Sequence, residues 1–95
     1  MRDRLLEEVA EVFGPRGRWI YTKSKRDRET ARIRRAAMWA LRAGRQTTHG
    51  AVGEVFGYTT GHVCQAIKLA GREMGADYHH QQRTLTIAAR LWDPR

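Results

Sequence analysis

In the stretch GEVFGYTTGHVCQAI, residues 53–67, apolar residues at helical spacing are interrupted by Gly57 and Gly61. Glycine in a helix interior costs roughly 1 kcal/mol relative to alanine, so two of them four residues apart sit poorly in one continuous helix. Two helices and a turn fit better. Phe56 ends the first helix, and Gly57 takes the left-handed conformation that glycine adopts most cheaply. Tyr58 and Thr59 complete the turn, Thr59 or Thr60 caps the second helix, and Gly61 falls in its first turn, where its penalty is small. Val52, Val55, Val63, Ala66 and Ile67 lock the two helices together. His62, Gln65, Lys68 and Arg72 then point outward, with Cys64 beside them. Without a side chain, Gly61 lets the helix N-terminus approach a groove or a phosphate closely. Read as a helix-turn-helix, the start of the second helix reaches base edges in the major groove. A hairpin that serves packing alone has the same pattern.

The rest of the chain reads as helices too. Leu5, Leu6, Val9, Val12 and Phe13 follow the i, i+3/4, i+7 spacing of one helical face, and GPRG at 14–17 turns the chain. Trp19, Ile20 and Tyr21 form a short apolar anchor. From Thr30, a plausible N-cap, Ile33, Ala37, Ala40 and Leu41 share one face, while Arg32, Arg35, Trp39 and Arg42 lie on another. Gly44 stands where a glycine stop is expected. Thr47 or Thr48 caps the helix that runs to Phe56. Further helices are expected at 60–74 and 77–92, separated by Gly75, with Asp77 capping the last and Leu85, Ala88, Ala89 and Trp92 buried. RTLTIAARLW could be a strand from its Thr and Ile content, but no partner strand is visible. The expected fold is an all-α bundle of five or six short helices in a single domain spanning 1–95. Its parts are an N-terminal helix and connection (1–22), a basic loop (23–30), a basic helix (31–44), the paired helices (48–74) and a final helix (77–92).

Charge narrows the partner. The 95 residues carry a formal net charge of +8, a field that attracts polyanions. Between Arg16 and Arg45 lie eleven of the 18 Lys and Arg residues and only two acids, Asp27 and Glu29. A phosphate-facing patch explains that concentration better than a solvated helix face does. The segment lacks the apolar face of a membrane-surface helix, and no apolar run approaches the ~20 residues that span a bilayer. Glu7, Glu8 and Glu11 exclude the apolar centre of a signal peptide. With Cys64 the only cysteine, no disulfide framework is possible. A cytoplasmic protein of the bacterial nucleoid is expected.

These residues resemble the C-terminal DNA-binding domain of the bacterial replication initiator DnaA, whose bundle is Trp-repressor-like. In that family a basic loop leads into a helix with an Ala-Arg-x-x-x-Ala-Met pattern, and Ala31-Arg32 and Ala37-Met38 are similar to it. Val52-Gly53 and Phe56-Gly57 resemble the family's Ile-Gly-x-x-Phe-Gly segment, and Val63, Ala66 and Lys68 continue the match. The resemblance implies a docking geometry on double-stranded DNA. Arg26 matches a minor-groove arginine, with Lys23, Lys25 and Arg28 beside it in the basic loop. Arg34 and Arg35 match polar positions facing DNA, and Arg42 a phosphate contact. Thr48 to Gly50 fall where helix-terminal amides meet a phosphate. Thr59, Thr60, Gly61 and His62 occupy the base-reading segment, followed by Gln65 and Lys68. The family's Asp-His-Thr-Thr signature is replaced by YTTGHV, one residue shorter, so a different DNA sequence is implied. Stand-alone domains of this type resemble phage-derived and gene-transfer-agent transcriptional activators, which makes a regulator the leading role, either whole or as a fragment of a longer protein. RNA polymerase or a second regulator subunit are further candidate partners.

No catalytic chemistry is legible. The GxxxxGK[ST] phosphate loop of the initiator's ATPase does not occur. His79 and His80 are adjacent, so on a helix they point about 100° apart and form a poor metal pair. Cys64 has no evident base. Neither a cofactor nor a small-molecule substrate is expected. Of the three tryptophans, Trp19 and Trp92 read as core, and only Trp39 lies between arginines. The competing readings are a protein-interaction module of the same fold and an RNA or single-strand binder.

Overall fold

A computed structural model describes residues 1–22 and 27–92. Five α-helices follow in order: α1 (Arg2–Phe13), α2 (Arg28–Arg45), α3 (His49–Phe56), α4 (Thr60–Ala76) and α5 (Tyr78–Trp92), with a 3₁₀ turn at Pro15–Trp19 between the first two. No strand occurs among the described residues, and RTLTIAARLW is helical. None of their helices is long and apolar enough to cross a membrane.

Helix α2 is the central element and packs against every other helix. Its composition explains why. Ala36, Ala37 and Ala40 are fully buried and Ile33, Met38 and Leu41 nearly so, so neighbours can approach on several sides at small separations. Leu5 and Val9 of α1, Ile20, Val52 and Phe56 of α3, Val63 and Ala66 of α4, and Ile87 and Leu91 of α5 complete the core. The helix starts at Arg28, earlier than expected, because Asp27 rather than Thr30 is its N-cap. The Asp27 carboxylate accepts from Glu29 N at 3.0 Å and from Thr30 N at 3.2 Å, and the Thr30 hydroxyl donates to it at 2.7 Å. These bonds hold the Asp27 carboxyl below the usual carboxylate range, the Thr30 hydroxyl contributing most.

Gly44 has a different task from the one expected. It lies inside α2, and the helix ends at Gln46, which is left-handed at φ 50°. A Cβ on Gly44 would stand 2.5 Å from the Ala88 carbonyl oxygen, so α2 and α5 touch backbone to side-chain-free backbone there. Gly75 likewise lies within α4, which runs on to Ala76.

That contact also sets the rotation of α5. Its buried residues are His80, Thr84, Ile87 and Leu91, not the expected set. Leu85 is 40% exposed and Trp92 61% exposed, and Ala89 is exposed as well. Trp19 is also exposed, and Trp39 is half-buried, which reverses the expected division of the tryptophans.

Burying His80 has a thermodynamic consequence. The side chain is 1% exposed and packs on Phe13 with ring centroids 5.5 Å apart, and its Nε2 has no hydrogen-bond partner. Burial pushes its pKa below the ordinary histidine value. The Arg32 charge acts in the same direction, against the opposing carboxylates of Glu73, Asp77 and Glu29. The unfolded chain therefore binds more protons than the folded one, and stability rises with pH across this interval. Acidification should lower the melting temperature progressively from about pH 6.5, the unfolded histidine value, until the lower folded pKa is passed. Thermal melts of His80→Leu should lose this part of the pH dependence. A variant with the wild-type profile between about pH 7 and 5 would assign the effect to other groups.

Candidate nucleic-acid interface

Helices α3 and α4 are joined by Gly57, Tyr58 and Thr59. Gly57 is left-handed, with φ 75°, and the amides of Gly57 and Tyr58 both donate to the Gly53 carbonyl, at 2.7 and 2.9 Å. Gly53 is required at this point: a Cβ there would lie 2.4 Å from the Tyr58 carbonyl oxygen. The turn thus closes on a residue four positions upstream, which brings Val63 against Val52 and Phe56 in the core.

Both helices begin with threonine caps. The Thr48 hydroxyl accepts from Ala51 N at 3.1 Å, and the Thr59 hydroxyl accepts from His62 N at 3.2 Å. The two helix starts are neighbours. A Cβ on Gly50 would stand 3.6 Å from the Thr60 Oγ1 and 3.8 Å from the Thr48 Oγ1. Two sets of first-turn amides, each at the positive end of a helix dipole, are therefore brought to one place on the surface. Thr48, Thr59, Thr60, Gly61, His62, Gln65 and Lys68 are all exposed there and along α4. The Gly61 Cβ position has no atom within 4 Å, so packing does not demand glycine. The His62 ring lies flat on Tyr58, with centroids 4.2 Å apart and planes within 3°. Stacking of this kind restricts the imidazole to one orientation at the helix mouth.

Between α2 and α4 runs a groove of about 700 Å³, with Ala31, Arg35 and Met38 on one side and Tyr58, His62, Gln65 and Leu69 on the other. Sequence reasoning missed Tyr58 and Leu69 here. Leu69 is 41% exposed, and its place at i+4 from Gln65 is the signal that could have found it.

The arginines of α2 divide in a way the sequence does not announce. Arg34, expected to face DNA, is 8% exposed. Its Nε donates to the Ile20 carbonyl at 2.6 Å and a terminal nitrogen donates to the Thr22 carbonyl. It is a positioning residue that holds the chain leading into the basic segment, because those carbonyls have no helical partner and a cation satisfies them. Arg35 reaches the groove, but its Nε and one terminal nitrogen bind the two Glu73 oxygens at 2.8 and 2.7 Å. That pairing raises its pKa and neutralises it locally. Arg32 pairs with Asp77 at 2.7 Å, which pulls the Asp77 carboxyl down to about 2. The Asp77 carboxylate also accepts from His80 N at 3.1 Å, the cap expected for the final helix.

Arg28 and Arg42, at opposite ends of α2, remain exposed. The Arg42 carbonyl accepts from Thr47 N at 3.2 Å, which ties the end of α2 to the start of α3. Lys23, Lys25 and Arg26 lie outside the described residues. Among the described residues, no three His, Cys, Asp or Glu side chains cluster as metal ligands. Comparison of the chain with protein-family models, with curated proteins and with solved structures finds no match in any of the three.

Proposed function

We propose that the chain is a sequence-specific double-stranded DNA-binding module, with α3 and α4 acting as a helix-turn-helix and the basic segment around Arg26 and Arg28 as a second, minor-groove arm. The observation that carries the reading is the convergence of two threonine-capped helix starts beside exposed Gly61, His62 and Gln65. Paired first-turn amides suit a backbone phosphate. Side chains at the mouth of α4 suit base edges, since threonine methyls fit thymine methyls and an oriented imidazole can donate to guanine. The net charge of +8 supplies the long-range attraction. Transcriptional regulation, of the kind seen in the activators the sequence resembles, is the role this reading implies.

A second reading is a protein-docking module, with RNA polymerase as one candidate partner. One observation favours it: the groove beside α4 carries an exposed leucine, Leu69, where a reader of phosphates and bases needs none. Selection from random duplexes separates the two. DNA reading predicts an enriched sequence, whereas recovery without enrichment favours docking.

Gly61→Ala sharpens the test. The methyl group meets nothing in the protein, so the folded state should hold or gain up to about 1 kcal/mol through helix propensity and reduced unfolded-state freedom. On DNA the same methyl intrudes where the helix approaches most closely, and affinity for the selected duplex should fall about tenfold, as overpacking of 1–3 kcal/mol implies. A variant with unchanged affinity would mean that the start of α4 does not enter a groove.

A further inference from the structure

The outward face of α5 has no use in the DNA-binding reading. Tyr78, Gln82, Leu85, Ala89 and Trp92 recur at alternating steps of four and three residues, the spacing of a coiled-coil seam. They lie opposite the buried His80, Thr84, Ile87 and Leu91. Tyr78 is 67% exposed, Leu85 40% and Trp92 61%, and Gln82 and Ala89 are exposed too. Large apolar side chains in a row on a solvent face mark an interaction site.

Two properties of this stripe point to a second copy of the chain. First, it carries no charge, although the chain as a whole is strongly cationic and two copies would otherwise repel. Arg83 and Arg90 stand to one side of it, and Arg90 is already bound to Glu8 at 3.1 Å and Glu11 at 3.2 Å. Second, the stripe is symmetric about its own centre. Tyr78 and Trp92 each lie seven residues from Leu85. Reversing the helix about Leu85 sets aromatic on aromatic at both ends, and the long Gln81 and Gln82 against the small Ala88 and Ala89.

We propose that this face joins two copies of the chain, α5 packing antiparallel against the partner's α5 across a two-fold axis at Leu85. In such an isologous contact each residue meets its mirror position: Leu85 meets the partner's Leu85, and Tyr78 meets the partner's Trp92. A single pair of 15-residue helices, each about 22 Å long, offers less than the about 800 Å² per partner of a standard stable interface. The dimer is therefore weak in free solution. It leaves the start of α4 open, since the 17 residues of α4 carry the chain about 25 Å from Thr60 to the turn before α5.

The test measures assembly without DNA, so it stands whether or not the DNA reading does. Analytical ultracentrifugation of the full chain, up to about 1 mM, should show a reversible monomer–dimer equilibrium, and Leu85→Arg should raise its dissociation constant at least tenfold. Circular dichroism of that variant should match wild type, because Leu85 is outside the core. In a Cys64→Ser background, oxidation of Leu85→Cys should yield a covalent dimer, since the introduced thiols face each other at the axis. Trp92→Cys alone should not, its two thiols lying about 20 Å apart, whereas mixing it with Tyr78→Cys should cross-link the two. A strictly monomeric chain over the whole range overturns the proposal. So does a dimer indifferent to Leu85→Arg, or Trp92→Cys cross-linking with itself as readily as Leu85→Cys.

Discussion

Affinity for a target duplex should fall about a thousandfold when salt is raised from about 50 to 200 mM. The estimate follows from counterion release, in which each neutralised phosphate contributes about 0.9 to the slope of log affinity against log salt. About six contacts give the thousandfold loss, and about three would give only about fortyfold. The structure makes that number informative. Arg34 is spent on backbone carbonyls, Arg35 on Glu73 and Arg32 chiefly on Asp77. Six contacts therefore cannot come from the middle of α2. They must be drawn from Arg28, Arg42, Arg45 and Lys68, all exposed, together with Lys23, Lys25 and Arg26. A fluorescence titration at several salt concentrations reads the slope directly. An affinity that changes less than about fivefold, as one contact would give, would remove the electrostatic basis of the DNA reading. Charge reversal of Arg34 would be a misleading probe, because it would disturb the fold before it touched a phosphate.

Gly53→Ala should be the most damaging single methyl in the α3–α4 unit, costing about 3 kcal/mol and lowering the melting temperature by roughly 10–20 °C. The added Cβ would stand 2.4 Å from a backbone oxygen of Tyr58, and backbone cannot swing aside as a flexible side chain can. Relief requires opening the turn, which weakens the two hydrogen bonds that the Gly53 carbonyl accepts, each worth about 1 kcal/mol. The helix-propensity gain of about 1 kcal/mol offsets only part of this. Gly50→Ala, whose Cβ would meet only threonine hydroxyls at 3.6 and 3.8 Å, serves as the tolerated control. Thermal melts of both variants decide the matter. If Gly53→Ala melts within about 2 °C of wild type, less than 1 kcal/mol is at stake and the close approach does not hold the turn. Where the variant is still folded, the Tyr58–His62 stack should loosen with the turn and sequence preference should blur.

What the sequence by itself determined about this protein is everything that closes within a few residues. Thr48, Thr59 and Asp77 cap the helices expected of them, because a capping bond joins a side chain to an amide three positions on. Gly57 adopts the left-handed turn for the same local reason, and 3.6-residue periodicity marked the helices. It did not choose between two adequate faces of one helix. On α5 both the Leu85–Ala89–Trp92 side and the Thr84–Ile87–Leu91 side are apolar enough to bury. Only the close approach of Gly44 to Ala88 selects the second, and those two residues lie on different helices. The same limit hid Arg34, whose carbonyl partners are 14 and 12 positions away. A run of arginines reads as uniformly solvated until the fold brings unpaired backbone oxygens to one of them. Tertiary structure decided which cations remain free to meet a polyanion, because burial and pairing depend on contacts that periodicity does not encode.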